Sequence, residues 1–370
     1  AIVSGIVTAN SFSGNVTGAV TGSGANLTSI PAGQLTGTVA DARLSTVSSS
    51  KLSGALPALD GSALTGVGLG TDGSANTSGI ITATSFVPTV GQLSHRNIII
   101  NGAMNVAQRG STSTSQGYQT VDRFAAYFYG TDEAPTQSTF DVSPPSSPYH
   151  LPTSGAHPYK EGFRKAFGVT NGNQTSGAGA GDYVFLRYKI EAQDLANSGW
   201  LSTSASSYLT LSFWVKSSVA QNFNCRLESQ DGTPRNYPFE TGSLSAFTWT
   251  KITKTIPGNT SPTVDIDNNN GTGIEIHWQM FRGTDFTDNS VSNDTWATYA
   301  SGTRTKDATS TWYTTNDASF QITGVQLEVG PVATPFEHRS YGEELIRCKR
   351  YFQNHAPSDG SDHMMWGTGR

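Results

Sequence analysis

The segment Ile322-Thr-Gly-Val-Gln-Leu-Glu-Val-Gly-Pro331, followed after Val332 by Ala333-Thr-Pro-Phe-Glu-His-Arg-Ser-Tyr-Gly-Glu-Glu-Leu345, decides how the chain is read. Ile322, Val325, Leu327 and Val329 sit in a β-rich run that Gly330-Pro331 closes, which predicts a strand ended by a turn. Ser340 and Glu343 have the spacing of a capping box, with the Ser side chain taking the N3 amide and Glu reaching back to the cap amide. Leu345, Cys348, Tyr351 and Phe352 then fall near one face of the helix that follows, so that helix is expected to pack against something. A domain is expected to close near Gly330, with a docked helix carrying the chain onward.

Outward from this segment, matched runs occur at Asn97–Asn105 (NIIINGAMN), Gln108–Gly110, Asp122–Phe124, Leu211–Ser217 (LSFWVKS) and Thr255–Gly258. Together with Gly324–Gly330, Ala333–Leu345, Cys348, Arg350 and Tyr351, they cover most of residues 95–353. This set resembles a module of bacteriophage tail fibres and related virion proteins. The resemblance implies a virion location in the tail, extracellular, with other phage tail or baseplate proteins and a host cell-surface glycan as partners.

The 370 residues have room for two or three domains, but only 35% are hydrophobic and Gly reaches 40. The shortage is uneven. Residues 1–94 hold 15 Gly, 15 Ser and 13 Thr and two aromatics, Phe12 and Phe86, while all 7 Trp and 13 Tyr lie beyond them. The early part also repeats itself. Gly5-Ile-Val-Thr-Ala-Asn-Ser-Phe12 returns as Gly79-Ile-Ile-Thr-Ala-Thr-Ser-Phe86, and the Leu35-Thr-Gly37 pattern returns as Leu52-Ser-Gly54. Each unit offers two or three aliphatics, at about 1.5–3 kcal/mol apiece when buried. Ordering the backbone costs about 1–2 kcal/mol per residue, so one unit does not stand alone. The units therefore either form a flexible linker or share a core with other copies. Regularly spaced Leu and Val favour the second, and similar L-T-G repeats occur in trimeric phage fibre shafts. Residues 1–94 are expected to be a repetitive homotrimeric fibrous shaft. The first residue is not Met and the pattern is already running, so the chain is expected to be a segment of a longer protein.

From Asn97, past a junction near Pro88 to His95, the pattern becomes strand after strand, which predicts an all-β fold. Leu209, Leu211, Phe213 and Val215 alternate with Thr210, Ser212, Trp214 and Lys216. Phe223, Cys225 and Leu227 alternate with Asn224, Arg226 and Glu228. Ile274, Ile276, Trp278 and Met280 alternate with Glu275, His277 and Gln279. Val184, Leu186, Tyr188 and Ile190 alternate with Tyr183, Phe185, Arg187 and Lys189. These strands, ending in G-V-Q-L-E-V-G, look like the jelly roll of carbohydrate-binding modules. The expected organisation is a shaft at 1–94, a jelly-roll-like β-sandwich at 95–336, and a capped helix and connection at 337–370. Between Ala134 and Pro158 the six prolines argue against central strands, so this stretch is expected to be a long surface loop.

A sandwich keeps one face of each sheet for the core and leaves the other for a ligand. The polar phases contain Arg187, Trp214, Arg226, Glu275 and His277, a mixture suited to sugar hydroxyls and ring faces. Trp296, Tyr299, Trp312 and Tyr313 lie in a Ser/Thr/Asn-rich region, where aromatics either stack on pyranoses or close the ends of the sandwich. Candidate contacts for a glycan or a partner are thus Trp214, Arg187, Arg226, His277, Trp296, Trp312 and Tyr313. The alternative for Trp214 is a place beneath a loop or a neighbouring subunit.

Net charge of −5 argues against nucleic acid, which needs clustered Lys and Arg. No apolar run is long enough for membrane insertion. Cys225 and Cys348 make no disulfide framework and lack metal-ligand spacing. Asp265-Ile-Asp-Asn-Asn-Asn-Gly271 has its glycine one place late for an EF-hand and Ile276 where Glu belongs, so it reads as an Asn/Gly turn. No nucleophile elbow or H-E-x-x-H pattern occurs. No cofactor, metal or catalytic residue is expected, and the chain is not expected to be an enzyme. The alternatives to a tail fibre are a head or baseplate decoration whose sandwich is an assembly joint and, behind it, a polysaccharide depolymerase.

Overall fold

The computed structural model describes residues 95–144 and 156–354. The expected trimeric shaft, the middle of the proline-rich stretch and the end of the connection lie outside the described residues. The chain runs β1 (Thr112–Ser113), β2 (Phe124–Tyr129), β3 (Thr136–Asp141), β4 (Lys165–Thr170), β5 (Tyr183–Glu191), α1 (Ala192–Ala196), β6 (Tyr208–Ser217) and β7 (Asn222–Ser229). It continues through β8 (Arg235–Ser243), β9 (Thr250–Pro257), β10 (Thr272–Arg282), β11 (Ala297–Thr298), β12 (Ser319–Val329) and α2 (Tyr341–Lys349). The strands form two six-stranded antiparallel sheets, ordered β1-β3-β4-β12-β6-β9 and β11-β8-β7-β10-β5-β2. The chain crosses repeatedly between them, as in a jelly roll, and the all-β expectation holds for this part.

Register explains the core. In the β10 sheet, Trp278 lies opposite Leu186 and Cys225, and Ile276 opposite Tyr188 and Leu227. Every apolar phase read from the sequence therefore points inward together, and those side chains join one buried cluster. In the β12 sheet the apolar positions change parity, from Ile322 to Val325 and Leu327. A bulge between Thr323 and Gln326 supplies the extra residue. Gly324 sits there at φ +61°, and a Cβ would come within 2.7 Å of the Phe163 ring. Glycine is required on both counts.

The proline-rich stretch needs a correction. Its first part is β3, paired with both β1 and β4. Pro135 and Pro144 flank that strand instead of interrupting it, and β1 is only two residues long, so β3 lies almost at the sheet edge, where prolines are tolerated.

The motifs that carry the family resemblance converge on the docking of α2 and the arm at 95–109. The Asn97 side chain donates to Val325 O at 3.2 Å and accepts from the amides of Ile99 and Leu327 at 3.0 and 3.1 Å. Asn101, at φ +62°, donates to the carbonyls of Val106 and Asp122 and accepts from Val106 N–H. Its own amide donates to Glu344 at 2.7 Å. The buried Arg339 guanidinium meets Glu337, Glu344 and the carbonyls of Asn97 and Ile99. Arg123 lies 3.4 Å from the Tyr351 ring centre, and Arg350 grips Glu191 through two bonds of 3.0 and 2.8 Å. Cys348 packs with Ile100 and Val106, flanked by Leu345 and Tyr351. Half of the capping box forms, with Ser340 Oγ accepting from Glu343 N–H at 3.2 Å. The Glu343 carboxylate turns instead to Arg347, one turn on, at 3.1 Å.

Candidate functional site

The two sheets treat their outer faces differently. Over the β12 sheet the chain folds back on itself. Glu328 accepts from Thr334 N–H at 2.8 Å, Gln326 accepts from Glu337 N–H at 2.8 Å, and His338 bonds to Glu161 O at 2.6 Å. Beneath these segments Ala103, Val142, Phe163, Ala166, Trp214 and Trp249 form a second small core.

The outer face of the β10 sheet carries ordered charge and rings. Alternation and register line up Arg226, His277 and Arg187 in one row and Glu228, Glu275 and Lys189 in the next. Glu275 is the hub, bonded to Lys189 Nζ at 2.9 Å and His277 Nε2 at 2.8 Å, with Arg187 at 3.6 Å. Burial pushes the Glu275 carboxyl up, but the bond from His277, the charge of Arg187 and the bond from Lys189 outweigh it and hold it well below the usual range. Burial, aided by Arg226, drives His277 well below the ordinary imidazole value, so its ring is neutral at neutral pH. Arg226 pairs with Glu228 and donates to Asn236 Oδ1 at 3.2 Å.

Segment 283–311 covers the β7 and β8 side of this face. Its Lys306 and Arg304 carbonyls accept from the Asn224 and Asn236 amides at 2.8 and 2.7 Å. Arg282 donates to Gln279 Oε1 at 3.0 Å and lies against the rings of Phe185, Tyr183 and Phe286, at 4.7, 5.3 and 5.5 Å. Burial first, then the neighbouring Arg226 and Arg304, lowers its pKa to about 9.

On the β2 and β5 side the face opens. His277 stacks on Phe185 at 5.0 Å and Phe185 on Tyr127 at 5.5 Å. Tyr183 stacks on Tyr129 at 5.8 Å. Arg187 donates to the Tyr127 hydroxyl at 2.6 Å. Tyr129 is 64% exposed, and the side chains of Lys189 and Arg187 are 34% and 19% exposed. The result is a shelf of rings edged by two cations and a carboxylate, the mixture that fixes polar, ring-shaped ligands.

The sequence-derived candidates divide accordingly. Arg187, Arg226 and His277 share this face, as their alternation required, but Arg226 and His277 are buried within it and only Arg187 reaches its open side. Trp214 is a correction as a ligand contact, and its alternative place beneath a loop holds: it is 1% exposed, and its indole donates to Glu161 at 3.1 Å, beneath the folded-back segments. Trp296, Trp312 and Tyr313 are corrections too, because they close the sandwich. Trp296 donates to Pro257 O at 2.7 Å and packs on Tyr237. Trp312 is wholly buried. Tyr313 lies 4.6 Å from the Phe281 ring and its hydroxyl bonds to Asp182 at 3.1 Å. Sequence reasoning missed Tyr127, Tyr129 and Arg282 and did not single out Tyr183, Phe185 or Lys189. The signal for the first pair was the phase of Phe124-Ala-Ala-Tyr-Phe-Tyr129, whose two tyrosines share the outward side.

In the Asp265–Gly271 loop, Gly271 N–H donates to Asn269 Oδ1 at 2.7 Å and Asp267 N–H to Asp231 at 3.0 Å, so the side chains close turns. Among the described residues no group of three His, Cys, Asp or Glu is placed to hold a metal. Concavities of about 470 and 610 Å³ lie at the α2 seam, beside Arg347 and Arg350, and beside Glu161 and Pro335, where the terminal segments dock.

No family model matches the sequence, and no curated protein matches it. Among solved structures it is similar to the enzymatically active domain of tailspike protein 4 of bacteriophage CBA120, at 11% identity and TM-score 0.29 over 63% of this chain. That match spans 21% of the tailspike. It is also similar to a family 11 carbohydrate-binding module of a cellulosomal cellulase of Clostridium thermocellum, at 14% identity and TM-score 0.27, covering 59% of this chain and 95% of the module. The N-terminal cellulose-binding domain of Cellulomonas fimi β-1,4-glucanase C matches at 10% identity and TM-score 0.26, over 62% of this chain and 99% of the domain. Scores this low say nothing of what this chain binds.

Proposed function

We propose that this chain is a non-catalytic structural component of a phage virion, a homotrimeric tail fibre whose sandwich takes host-surface glycan on the outer face of the β10 sheet. The sequence motifs support the virion part of this reading. One observation carries the glycan part: the stacked Tyr127–Phe185 and Tyr129–Tyr183 pairs, beside Arg187, Lys189 and Glu275, on the side left open to solvent. Ring faces and edges meet the C–H surfaces of a pyranose, and the charged groups bond its hydroxyls. A shallow face of this kind gives affinity of about millimolar per site, raised by three copies per fibre. Screening the full chain on a glycan array tests the reading. Tyr129→Ala and Tyr127→Ala are expected to abolish retention without unfolding the protein, and a blank array would sink it. The same preparation is expected to release no reducing ends from host polysaccharide.

A second reading, a head or baseplate fibre whose sandwich is an assembly joint, draws on the exposure of Val332, Tyr341 and Ile346, at 67, 58 and 73%. Apolar side chains on the docked segment and α2 suit contact with another virion protein. Labelled virions viewed by electron microscopy distinguish tail from head.

A further inference from the structure

The charge on the middle strands of the β10 face is unlike that of the chain. The whole sequence carries −5. On β5, β7 and β10 the outward side chains Arg187, Lys189, Arg226 and Arg282 stand against Glu228 and Glu275, with His277 neutral, while the covering segment carries Arg304 and Lys306 together with Asp285, Asp288, Asp294 and Asp307. Glu228 is taken by Arg226, and Glu275 is shared by Lys189, Arg187 and His277. Among the described residues no carboxylate lies within ion-pair distance of Arg282 or Arg304. The unpartnered polar atoms tell the same story. Arg187 Nε, Arg226 Nε, Gln279 Nε2 and Arg282 Nη2 are buried without acceptors, and every one is a donor. Gln279, Arg282 and Arg226 are only 1, 2 and 3% exposed. The buried Arg282 charge, which no carboxylate neutralises, and these donors without acceptors together create a positive field nearby. That field emerges where Arg187 and Lys189 meet the tyrosine shelf.

We propose that the glycan taken by this face is acidic, with its anionic group held by Arg187 and Lys189 and its ring on the Tyr127 and Tyr129 shelf. The inference rests on the reading of the face as a glycan site and names the class of sugar. Carboxylate, sulfate and phosphate share the needed chemistry: planar or tetrahedral oxygens that accept from guanidinium and ammonium donors. Glu275, itself bonded to neutral His277, holds the two cations in place.

The test uses the full chain passed over immobilised polygalacturonate, its carboxyl-reduced neutral product, dextran sulfate and a glycerol-phosphate polymer. Retention on at least one acidic polymer is expected to exceed that on the reduced polymer by about tenfold or more and to fall as salt is added. The three acidic arms identify which anion is preferred. Lys189→Gln, at the more open position, and the double variant R187Q/K189Q are expected to remove the preference, while Lys165→Gln on the other sheet leaves it unchanged. Equal retention on polygalacturonate and its reduced product, without preference for the other anions, overturns the acidic class while leaving the glycan reading standing. Retention on none overturns both. Retention on all polyanions that ignores Tyr129→Ala and Lys189→Gln shows nonspecific charge and overturns the site.

Discussion

The outer faces of the two sheets were built from the same alphabet and ended differently. Trp214, Lys216, Gln326 and Glu328 on the β12 sheet match Tyr127, Lys189, Gln279 and Glu275 on the β10 sheet in kind. On the first, the segments at 157–164 and 331–340 lie over the strands, and Trp214 is a core residue. On the second, only the β7 and β8 side is covered, and Tyr129 stands in solvent. An outward phase along a strand therefore says which sheet face a side chain joins, and tertiary packing says whether that face meets water.

The largest expected effect lies on the covered face. Trp214→Ala removes a buried ring and leaves a cavity beneath the folded-back segments, and is expected to cost about 3–5 kcal/mol in denaturant unfolding. Glycan retention by the surviving folded fraction should be unchanged. If retention fell in step with no loss of stability, the two faces would not differ as described.

Asn101→Ala is next. Its side chain serves three backbone groups at a left-handed position, so the loss is expected at about 2–4 kcal/mol. Because Asn101 ties the arm to α2, Cys348 provides a local readout. Burial, chiefly, pushes its thiol up to about 12, so alkylation should be slow in the native protein and faster in the variant.

A smaller effect is expected at Arg350, which is half-exposed and pairs with Glu191. Its hydrogen bonds lower the Glu191 carboxyl from 4.5 to about 2. A depressed folded-state value means the contribution is present above pH 4.5 and lost as pH falls toward 2. Melting temperatures of the native chain and Arg350→Ala should therefore differ at neutral pH and converge over that window. A constant gap would place the contribution elsewhere.

The smallest effect on stability belongs to the open face. Tyr129→Ala should stay within about 0.5 kcal/mol of the native chain, yet abolish retention on glycan. A comparable loss of stability would recast the shelf as packing.

Much of the fold was legible in single residues. The inward phases of β5, β6, β7 and β10 follow from period-two alternation, because a strand in a two-layer sandwich has one dry side. The G-V-Q-L-E-V-G run was legible as a strand, and its parity change became intelligible once Gly324 was seen in a bulge. β3 was missed because Pro135 and Pro144 are punctuation at its ends, and a local rule does not distinguish flanking a strand from breaking one. Of the site, Arg187, Arg226 and His277 were found because they occupy the outward phase of strands whose other phase is apolar. For Trp214, Trp296, Trp312 and Tyr313 two roles stayed open and the covered one holds, because an aromatic in a polar context looks the same whether it awaits a sugar or a covering segment.

Taken alone, the sequence determined the all-β class, the side of each long strand that enters the core and the helix start at Ser340, since these depend on neighbours a few positions apart. Only the tertiary structure decided which polar face stays open, which cations lack a carboxylate, and that Tyr127, Tyr129 and Tyr183 meet. Those depend on register between strands and on segments more than a hundred residues distant returning to cover one face and leave the other bare.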